Sequence, residues 1–293
     1  FRVARRRGHF IMRSTAIYHH ADESKKIARG PCMNRFIAEC DDVSWAYDGR
    51  VLFEHLSTVF NPKTFTTILG PNGSGKTTLL KHLLNLLPLR EDSVRLAGKD
   101  IMKYRQKQIA KIISYVPQKS SANYEFSVFD FVAMGRYSYI PRFSAMSSND
   151  LEAVDSACLM AGVAHLKNRI ITELSGGEFQ RVVIARALAQ QALIIALDEP
   201  VSHLDVHNQR EILALLRSLV DQSEVAIVCV LHDLNAAAAY SDRIIMMQEG
   251  TIVADGTPEA VLTVDRIKDV YQVDVETYRN KESGRLALLP VWR

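Results

Sequence analysis

The chain has little cysteine and no long hydrophobic run. Its cysteines lie far apart and form no Cys-x-x-Cys pair; they are Cys32, Cys40, Cys158 and Cys229. That spacing argues against a zinc site and a disulfide framework, and it favours a reducing compartment. No uncharged apolar stretch approaches the about 18 residues that indicate a membrane-spanning helix. The richest stretches, such as Val225–Leu231, have the length of a strand. We therefore expect any membrane role to be peripheral.

The chain also lacks an excess of positive charge beyond its first residues. Residues 1–32 hold eight Lys or Arg and two acidic residues, a net charge of +6, so the remainder carries −3 of the total of +3. That balance offers no basic face for nucleic acid, and no nucleic-acid partner is expected. The basic segment is open to three interpretations: a membrane-surface arm, a targeting peptide or a translated upstream stretch. We expect 1–35 to be a disordered or non-native leader.

Strand patterns and helix patterns alternate through most of the chain. Ile37–Leu69 has short β-branched and aromatic runs that predict an antiparallel layer. A helix is clearest over 208–220, where apolar residues recur at helical spacing. Strands alternating with helices predict an α/β fold with a mostly parallel sheet. The predicted buried strands are Phe65–Leu69, Ile112–Val116, Leu193–Leu197, Val225–Leu231 and Ile244–Met247.

Two segments depart from this alternation. Over 119–172 the strand pattern lapses, and residues such as Leu151, Val154 and Cys158 recur at helical spacing, which predicts an inserted helical subdomain. Thr257-Pro258 is an N-cap followed by proline at the first helical position, so we expect short helices to finish the chain. The predicted main domain covers 36–265, and 266–293 is a C-terminal tail.

A glycine-rich turn lies between the strand Phe65–Leu69 and a helix predicted over Thr77–Leu87. It satisfies the pattern G-x-x-x-x-G-K-[ST], in which glycines let successive N–H groups surround a phosphate at a helix N-terminus. The lysine of this pattern reaches the β- and γ-phosphates of ATP, and the next hydroxyl ligates Mg²⁺. A hairpin with a solvated lysine is the alternative, which the flanking strand and helix disfavour. The residues of this phosphate loop are Gly70, Pro71, Asn72, Gly73, Ser74, Gly75, Lys76, Thr77 and Thr78.

Two carboxylates follow the apolar run 192–197. The strand end places Asp198 beside the phosphate loop, where a carboxylate orients Mg²⁺ directly or through water. Glu199 is the candidate general base that polarises the attacking water. Adjacent carboxylates can also merely cap a turn, but the phosphate loop favours the catalytic interpretation. The predicted fold is a P-loop NTPase (RecA-like) α/β fold with an N-terminal antiparallel β layer and an inserted α-helical subdomain.

A second glycine pair precedes another predicted helix, in Leu174-Ser175-Gly176-Gly177-Glu178. It makes a second anion-binding helix N-terminus, and one nucleotide cannot easily use both within one subunit. This segment resembles the LSGGE motif of the ABC ATPase family, which binds the γ-phosphate of ATP held by the partner subunit. The resemblance covers about 37–262 and implies a homodimer that closes around two ATP molecules.

The resemblance assigns roles to further residues. Tyr47 matches the aromatic residue that stacks on adenine, although an isolated tyrosine here would read as an ordinary strand residue. Gln118 matches the Q-loop glutamine, which contacts Mg²⁺ and the attacking water. Asp205 matches the D-loop at the dimer interface, and His232 matches the switch histidine that contacts the γ-phosphate. The resemblance thus implies catalysis by Glu199, His232, Lys76 and Gln118, and Mg²⁺ binding by Thr77, Gln118 and Asp198.

The type of ABC protein follows by exclusion. A single phosphate loop, a short segment between Lys76 and Leu174, and the lack of fused membrane helices leave a separate subunit that binds membrane partners. The segment 126–136 resembles importers of iron-siderophore, haem and cobalamin, although zinc, manganese, molybdate and phosphonate importers share much of it. The resemblance implies two transmembrane permease subunits and, indirectly, a cargo-binding protein, at the cytoplasmic face of the inner (plasma) membrane. The rival interpretation is a non-transport ABC regulator that clamps nucleic acid or protein.

Overall fold

The computed structural model describes residues 36–118, 124–202, 204–281 and 284–291. The leader predicted over 1–35 lies outside these residues. Within them, no helix combines the length and the hydropathy that crossing a membrane requires.

The described residues form strands joined mainly by helices. The strands are β1 Ala38–Tyr47, β2 Arg50–Phe60, β3 Phe65–Leu69, β4 Val94–Leu96, β5 Lys99–Asp100, β6 Ile113–Val116, β7 Ile194–Asp198, β8 Ala226–Val230, β9 Arg243–Gln248, β10 Thr251–Gly256, β11 Val275–Arg279 and β12 Leu286–Pro290. The α-helices are α1 Lys76–Leu83, α2 Gln106–Ile112, α3 Val128–Ala133, α4 Ser148–Met160, α5 Gly176–Ala189, α6 Val206–Gln222, α7 Leu234–Tyr240, α8 Pro258–Val261 and α9 Val264–Tyr271.

The main sheet has the strand order β10-β9-β3-β8-β7-β6. Strands β9, β3, β8, β7 and β6 run parallel, and β10 adds an antiparallel edge. Every residue of β3, β7 and β8 is buried, because a parallel sheet covered on both faces exposes neither side of its central strands. The predicted parallel sheet is confirmed, with each strand boundary within about a residue or two of the predicted one.

The predicted antiparallel layer is also confirmed, as a separate sheet of order β2-β1-β4-β5. The β1–β2 hairpin turns at Asp48-Gly49, where both residues have positive φ, and its pairing is interrupted by bulges. The two sheets enclose a core. Ile68 and Ala196 face this layer, whereas their chain neighbours Leu69 and Leu197 face the helices on the other side, as the two-residue period of a strand requires.

Helices α3 and α4 lie in the segment predicted as a helical insert. They pack on α5 through apolar side chains such as Val132 and Val154. A buried ion pair joins the 3₁₀ turn after α3 to α4, with Arg136 Nε and Asp150 Oδ1 2.9 Å apart. Residues 119–123 lie outside the described part of the chain, so the boundaries of the insert stay a prediction.

Two expectations about helices are wrong. Helix α1 ends at Leu83 rather than at Leu87, since Asn85 adopts a left-handed conformation with φ 53°. Short helices do follow Thr257, but they do not finish the chain: the antiparallel hairpin β11–β12 follows them. Val275 and Leu288 attach this hairpin to the core, while most of its other residues are exposed or half-buried. The Asn235 amide of α7 also pairs with both backbone groups of Leu288, at 2.8 and 3.0 Å.

Candidate functional site

Four neighbouring parallel strands end at one edge of the main sheet, and a predicted site residue follows each. β3 leads into the phosphate loop, β7 ends at Asp198, β8 precedes His232, and β6 precedes Gln118. The register aligns these ends, because Ile68 and Asp198 both pair with Val230. Ligands of open α/β sheets bind at this carboxyl edge. The topology therefore gathers residues that are 162 positions apart at the extremes, from Gly70 to His232.

The phosphate loop has a backbone that only glycine permits at its first position. Gly70 has φ 148°, and a Cβ there would lie 2.1 Å from the carbonyl oxygen of Met247. Gly75 has φ 102° and caps the N-terminus of α1. A side chain at either position would clash or strain the turn. Because glycine has no Cβ, the loop can take this path and bring its backbone N–H groups to the start of helix α1.

Two polar groups of this loop suit a phosphate. Lys76 is 6 % exposed, and its Nζ donates to the carbonyl oxygens of Gly70 and Pro71, both at 2.8 Å. Burial lowers the pKa of Lys76, and the nearby Glu199 and Asp198 oppose that shift. The buried Ser74 hydroxyl has no hydrogen-bond partner among the described residues. A buried ammonium and a buried unpaired hydroxyl beside a helix N-terminus fit the phosphates of a nucleotide.

Two of the three predicted Mg²⁺ ligands, Thr77 and Asp198, contact each other, whereas the third, Gln118, contacts Glu199. The Thr77 hydroxyl donates to Asp198 Oδ1 at 3.0 Å. Asp198 is 1 % exposed, and burial raises its pKa, while the bond from Thr77 lowers it. A hydroxyl and a buried carboxylate are the oxygen ligands that Mg²⁺ takes next to phosphates. These residues therefore fit Mg²⁺, which supplies neutralisation of phosphate charge when it is bound.

We expect Asp198→Asn to stabilise the nucleotide-free protein. Because burial raises the folded-state pKa of Asp198, the group costs no stability at pH below its ordinary pKa, where it is protonated in both states, and that stability is lost as the pH rises through the folded pKa. At pH 7 the neutral amide should therefore raise Tm by about 2 to 4 °C. The gain should shrink as the pH falls through the folded pKa and should vanish below about pH 4.

Thermal unfolding with and without Mg²⁺ and ATP measures this. The variant should also lose the stabilisation that the wild type gains from Mg²⁺ with ATP. A lower Tm for the nucleotide-free variant at pH 7 would contradict the assignment of Asp198 as a destabilising buried charge.

Glu199 lies at the centre of a hydrogen-bonded group of three side chains. Its Oε2 accepts from Gln118 Nε2 at 2.7 Å, and its Oε1 lies 2.5 Å from His232 Nε2. Its backbone has φ 48°, a left-handed conformation that costs a non-glycine residue energy, and its N–H donates to Val230 O at 3.2 Å. The turn after β7 thereby aims the carboxylate toward the strand ends β6 and β8.

The aromatic residue predicted to stack on adenine lines a cleft beside the phosphate loop. Tyr47 is 44 % exposed, and its hydroxyl lies 3.5 Å from Thr78 Oγ1. The cleft has a volume of about 760 Å³. Its lining consists of Tyr47, Arg50, Val51, Leu52, Pro71, Asn72, Gly73, Ser74, Gln248, Glu249, Val270 and Gln272.

Sequence reasoning missed the part that the C-terminal segment plays in this cleft. Val270 and Gln272 belong to the segment predicted as a tail, yet they line the cleft opposite the phosphate loop. Burial raises the pKa of the neighbouring Tyr271 to about 12. No short motif marks such residues; the strong amphipathic pattern of 264–271 is the signal that could have indicated a packed helix there.

The Leu174–Glu178 segment forms a well-capped helix start apart from the cleft lining. Ser175 Oγ donates to Glu178 Oε2 at 2.7 Å and caps α5, and the Ser175 N–H donates to the same oxygen. Asp205 caps α6 and accepts from the Asn208 side chain at 2.7 Å. A Cβ on Gly177 would lie 3.2 Å from that same Asn208 amide, so the LSGGE segment and the D-loop are neighbours.

An ion pair also joins helices α5 and α6, which follow these two loops. Arg181 of α5 pairs with Glu211 of α6, and His207 lies 3.4 Å from that carboxylate. The D-loop cap lowers the pKa of Asp205. The structure thus brings the predicted residues into two groups. One is the phosphate loop with Tyr47, Gln118, Asp198, Glu199 and His232; the other is Ser175, Gly176, Gly177 and Asp205.

The fold and the first group define a P-loop nucleotide-binding protein with a second glycine-rich helix start. The family model for ABC transporters matches residues 53–202. The chain belongs to the ATP-binding proteins of the ABC transporter family.

The chain is similar to several proteins of this family. The uncharacterized ABC transporter ATP-binding protein YvrA of Bacillus subtilis is 40% identical over 248 residues, 84% of this chain and 56% of YvrA. The ferric enterobactin transport ATP-binding protein FepC of Escherichia coli is 34% identical over 253 residues, 86% of this chain and 93% of FepC. The iron(3+)-hydroxamate import ATP-binding protein FhuC of B. subtilis is 38% identical over 239 residues, 82% of this chain and 89% of FhuC.

One solved structure is similar over nearly its whole length. It is a chain of a transporter assigned to the metal-chelate type of ABC transporters, in an inward-facing conformation. The TM-score is 0.77 at 28% identity, and the match covers 88% of this chain and 98% of that one. The chain spans little more than half the length of some relatives, 56% for YvrA and for the cobalamin import ATP-binding protein BtuD of Halobacterium salinarum.

Proposed function

We propose that this chain hydrolyses ATP with Mg²⁺ and powers an importer of an iron-siderophore, haem, cobalamin or related metal-chelate cargo. The observation that carries the ATPase part is the convergence of Lys76, Asp198, Glu199 and His232 at one sheet edge. The cargo class rests on FepC and FhuC, whose names give ferric enterobactin and iron(3+)-hydroxamate.

The residues divide the work of phosphoryl transfer. Lys76 and the amides of 70–75 bind and orient the phosphates, and charge on the transferred group is balanced there. Glu199 takes the proton of the attacking water at its carboxylate. Gln118 and His232 hold that carboxylate from two sides, at 2.7 and 2.5 Å. In this proposal His232 also contacts the γ-phosphate, the role that the resemblance implies for it.

A homodimer completes the site in this proposal. The helix start at Ser175 presents amides that suit an anion, and it takes no part in the lining of the cleft beside its own phosphate loop. A two-fold arrangement lets each subunit supply this helix start to the other. Asp205 lies beside Asn208 and Gly177 and would face the partner at the same interface.

The membrane partners would dock on the segment 124–145 of the helical insert. This segment exposes three large aromatic side chains: Tyr124 by 70%, Tyr137 by 71% and Phe143 by 105%. Exposed apolar side chains concentrated in one region mark interaction sites in soluble proteins. Such side chains are typical of interface anchors. In this proposal two transmembrane permease subunits bind here, which places the chain on the cytoplasmic face of the inner membrane, and a cargo-binding protein delivers cargo to them.

We expect Phe143→Ser to reduce co-purification of the chain with the membrane fraction by about tenfold, as for loss of a hot-spot residue. Leu159→Ser is the matched control, since Leu159 is 56% exposed on α4 but outside the 124–145 segment. Equal loss in the two variants would argue against this docking surface.

Uptake measurements in cells test the transport part. Cells that carry only Lys76→Ala should lose uptake of labelled ferric siderophore, haem or cobalamin, and the affected compound identifies the cargo. Unchanged uptake of all three, with purified wild-type protein active as a Mg²⁺-dependent ATPase, would overturn the cargo class and leave the ATPase proposal standing.

A further inference from the structure

Four residues next to the cleft, Trp45, Tyr47, Thr78 and His82, contact one another in a closed circuit. The Tyr47 hydroxyl lies 3.5 Å from Thr78 Oγ1, and His82 Nδ1 lies 2.8 Å from the Thr78 carbonyl oxygen. The His82 and Trp45 rings meet edge to face with centroids 5.2 Å apart. Trp45 in turn meets Tyr47 edge to face at 5.6 Å. The circuit joins helix α1 to the end of strand β1.

His82 is clamped from its other side as well. The Phe53 ring meets it at 5.6 Å. Phe53 also lies 3.1 Å from the position of a Cβ on Gly75, the N-cap of α1. His82 thus sits between an aromatic ring that packs against the phosphate loop and one that packs against Tyr47. Edge-to-face aromatic pairs hold a preferred geometry, so movement of one ring displaces its neighbour.

The imidazole is held in one protonation state. His82 is fully buried, and burial lowers its pKa. Because a carbonyl only accepts, Nδ1 carries the proton, and the neutral ring has its lone pair at Nε2. Neither His82 Nε2 nor Trp45 Nε1 has a hydrogen-bond partner among the described residues.

We propose that His82 is a positioning residue for the base: it fixes Trp45 and, through it, Tyr47 relative to the helix that binds the phosphates. This rests on the proposed function, since it assumes that Tyr47 stacks on the adenine of bound ATP. One helix then sets the position of both ends of the nucleotide. His82 itself is absent from the cleft lining and has no catalytic task.

Binding of ATP and of inorganic tripolyphosphate, each with Mg²⁺, separates the base from the phosphates. Calorimetry on the Glu199→Gln background avoids turnover. His82→Leu should lower the affinity for ATP by about three- to tenfold, which corresponds to the interaction energy of an aromatic pair. The affinity for tripolyphosphate should stay within about twofold of the parent. His82→Phe keeps the ring and should restore ATP affinity to within about twofold of the parent.

Two comparisons make the outcome specific. Leu83→Val, one residue further along α1 and equally buried, should leave both affinities unchanged. Tyr47→Ala should lower the affinity for ATP but not for tripolyphosphate. In the double variant His82→Leu should cause little further loss of ATP affinity, since both substitutions act on the same contact. Full additivity of the two losses would overturn the proposal.

Trp45 supplies an optical readout. With Trp292 replaced by phenylalanine it is the sole tryptophan. Saturating ATP should change its emission equally in the parent and in His82→Phe, and by less in His82→Leu. Equal weakening of ATP and tripolyphosphate by His82→Leu would show a general defect of α1 and refute a role in base positioning. If the parent binds neither compound, the proposed nucleotide function fails instead.

Discussion

Glu199→Gln is expected to lower kcat for ATP hydrolysis by a factor of about 10² to 10⁴ and to leave ATP binding intact. Glutamine has the size and the hydrogen-bonding reach of the glutamate but cannot accept a proton from water at neutral pH. Gln118 and His232 contact different oxygens of Glu199, at 2.7 and 2.5 Å. The glutamine keeps one carbonyl oxygen for His232, and its new NH2 group can donate to Gln118 once the Gln118 amide turns to present its oxygen. ATP bound without turnover should hold the closed dimer, so the variant should accumulate as a dimer.

Steady-state hydrolysis, nucleotide binding and size-exclusion chromatography with ATP measure these three effects. Glu224→Gln is the matched control, because it also removes one carboxylate. Glu224 is 81% exposed, pairs with Lys63 at 3.5 Å, and precedes β8, whereas Glu199 follows β7. It should hydrolyse ATP normally. Normal turnover in Glu199→Gln would remove Glu199 from the role of general base.

The second large effect is expected from mixing two inactive subunits. Lys76→Ala removes the ammonium from the phosphate loop, and Ser175→Arg removes the cap of α5 and places a bulky side chain at its N-terminus. Each variant alone should be nearly inactive. In a mixed dimer one composite site is intact: the Ser175→Arg subunit supplies its phosphate loop, and the Lys76→Ala subunit supplies its helix start at Ser175.

An equimolar mixture should therefore regain about a quarter of wild-type hydrolysis, since about half of the dimers are mixed and each has one working site. The capped loop at Ser175 and its absence from the cleft lining of its own subunit support this arrangement. No recovery, with both variants folded and dimeric by thermal unfolding and chromatography, would place both motifs in a single-subunit site. The control is Lys76→Ala alone at the total protein concentration of the mixture, which should stay nearly inactive.

The local part of the site could be predicted because it is encoded in continuous segments. The spacing from Gly70 to Thr77 dictates a turn followed by a helix, and apolar residues followed by Asp198 and Glu199 dictate a strand with carboxylates at its end. Both predictions are confirmed as structure by the bond between Thr77 and Asp198 at 3.0 Å. The chemical roles of these residues stay predictions.

Distant contributions could not be predicted in the same way. The cleft lining by Val270 and Gln272 depends on how α9 packs against the rest of the fold. The hairpin that follows has little local signal, because its second strand, Leu286–Pro290, contains only leucine, alanine and proline and no β-branched or aromatic residue. His82 reads in the sequence as one polar residue in a helix, yet it is fully buried between Trp45 and Phe53.

The class of fold, the phosphate loop, the paired carboxylates and the second glycine-rich helix start could be predicted from local patterns, because backbone conformation and strand period follow from neighbouring residues. Three contacts became visible in the folded chain alone: Gln118 and His232 flank Glu199, Asn208 joins the D-loop to Gly177, and the C-terminal segment lines the cleft. These contacts depend on the order and register of strands far apart in the chain, which come from packing in three dimensions rather than from any local pattern.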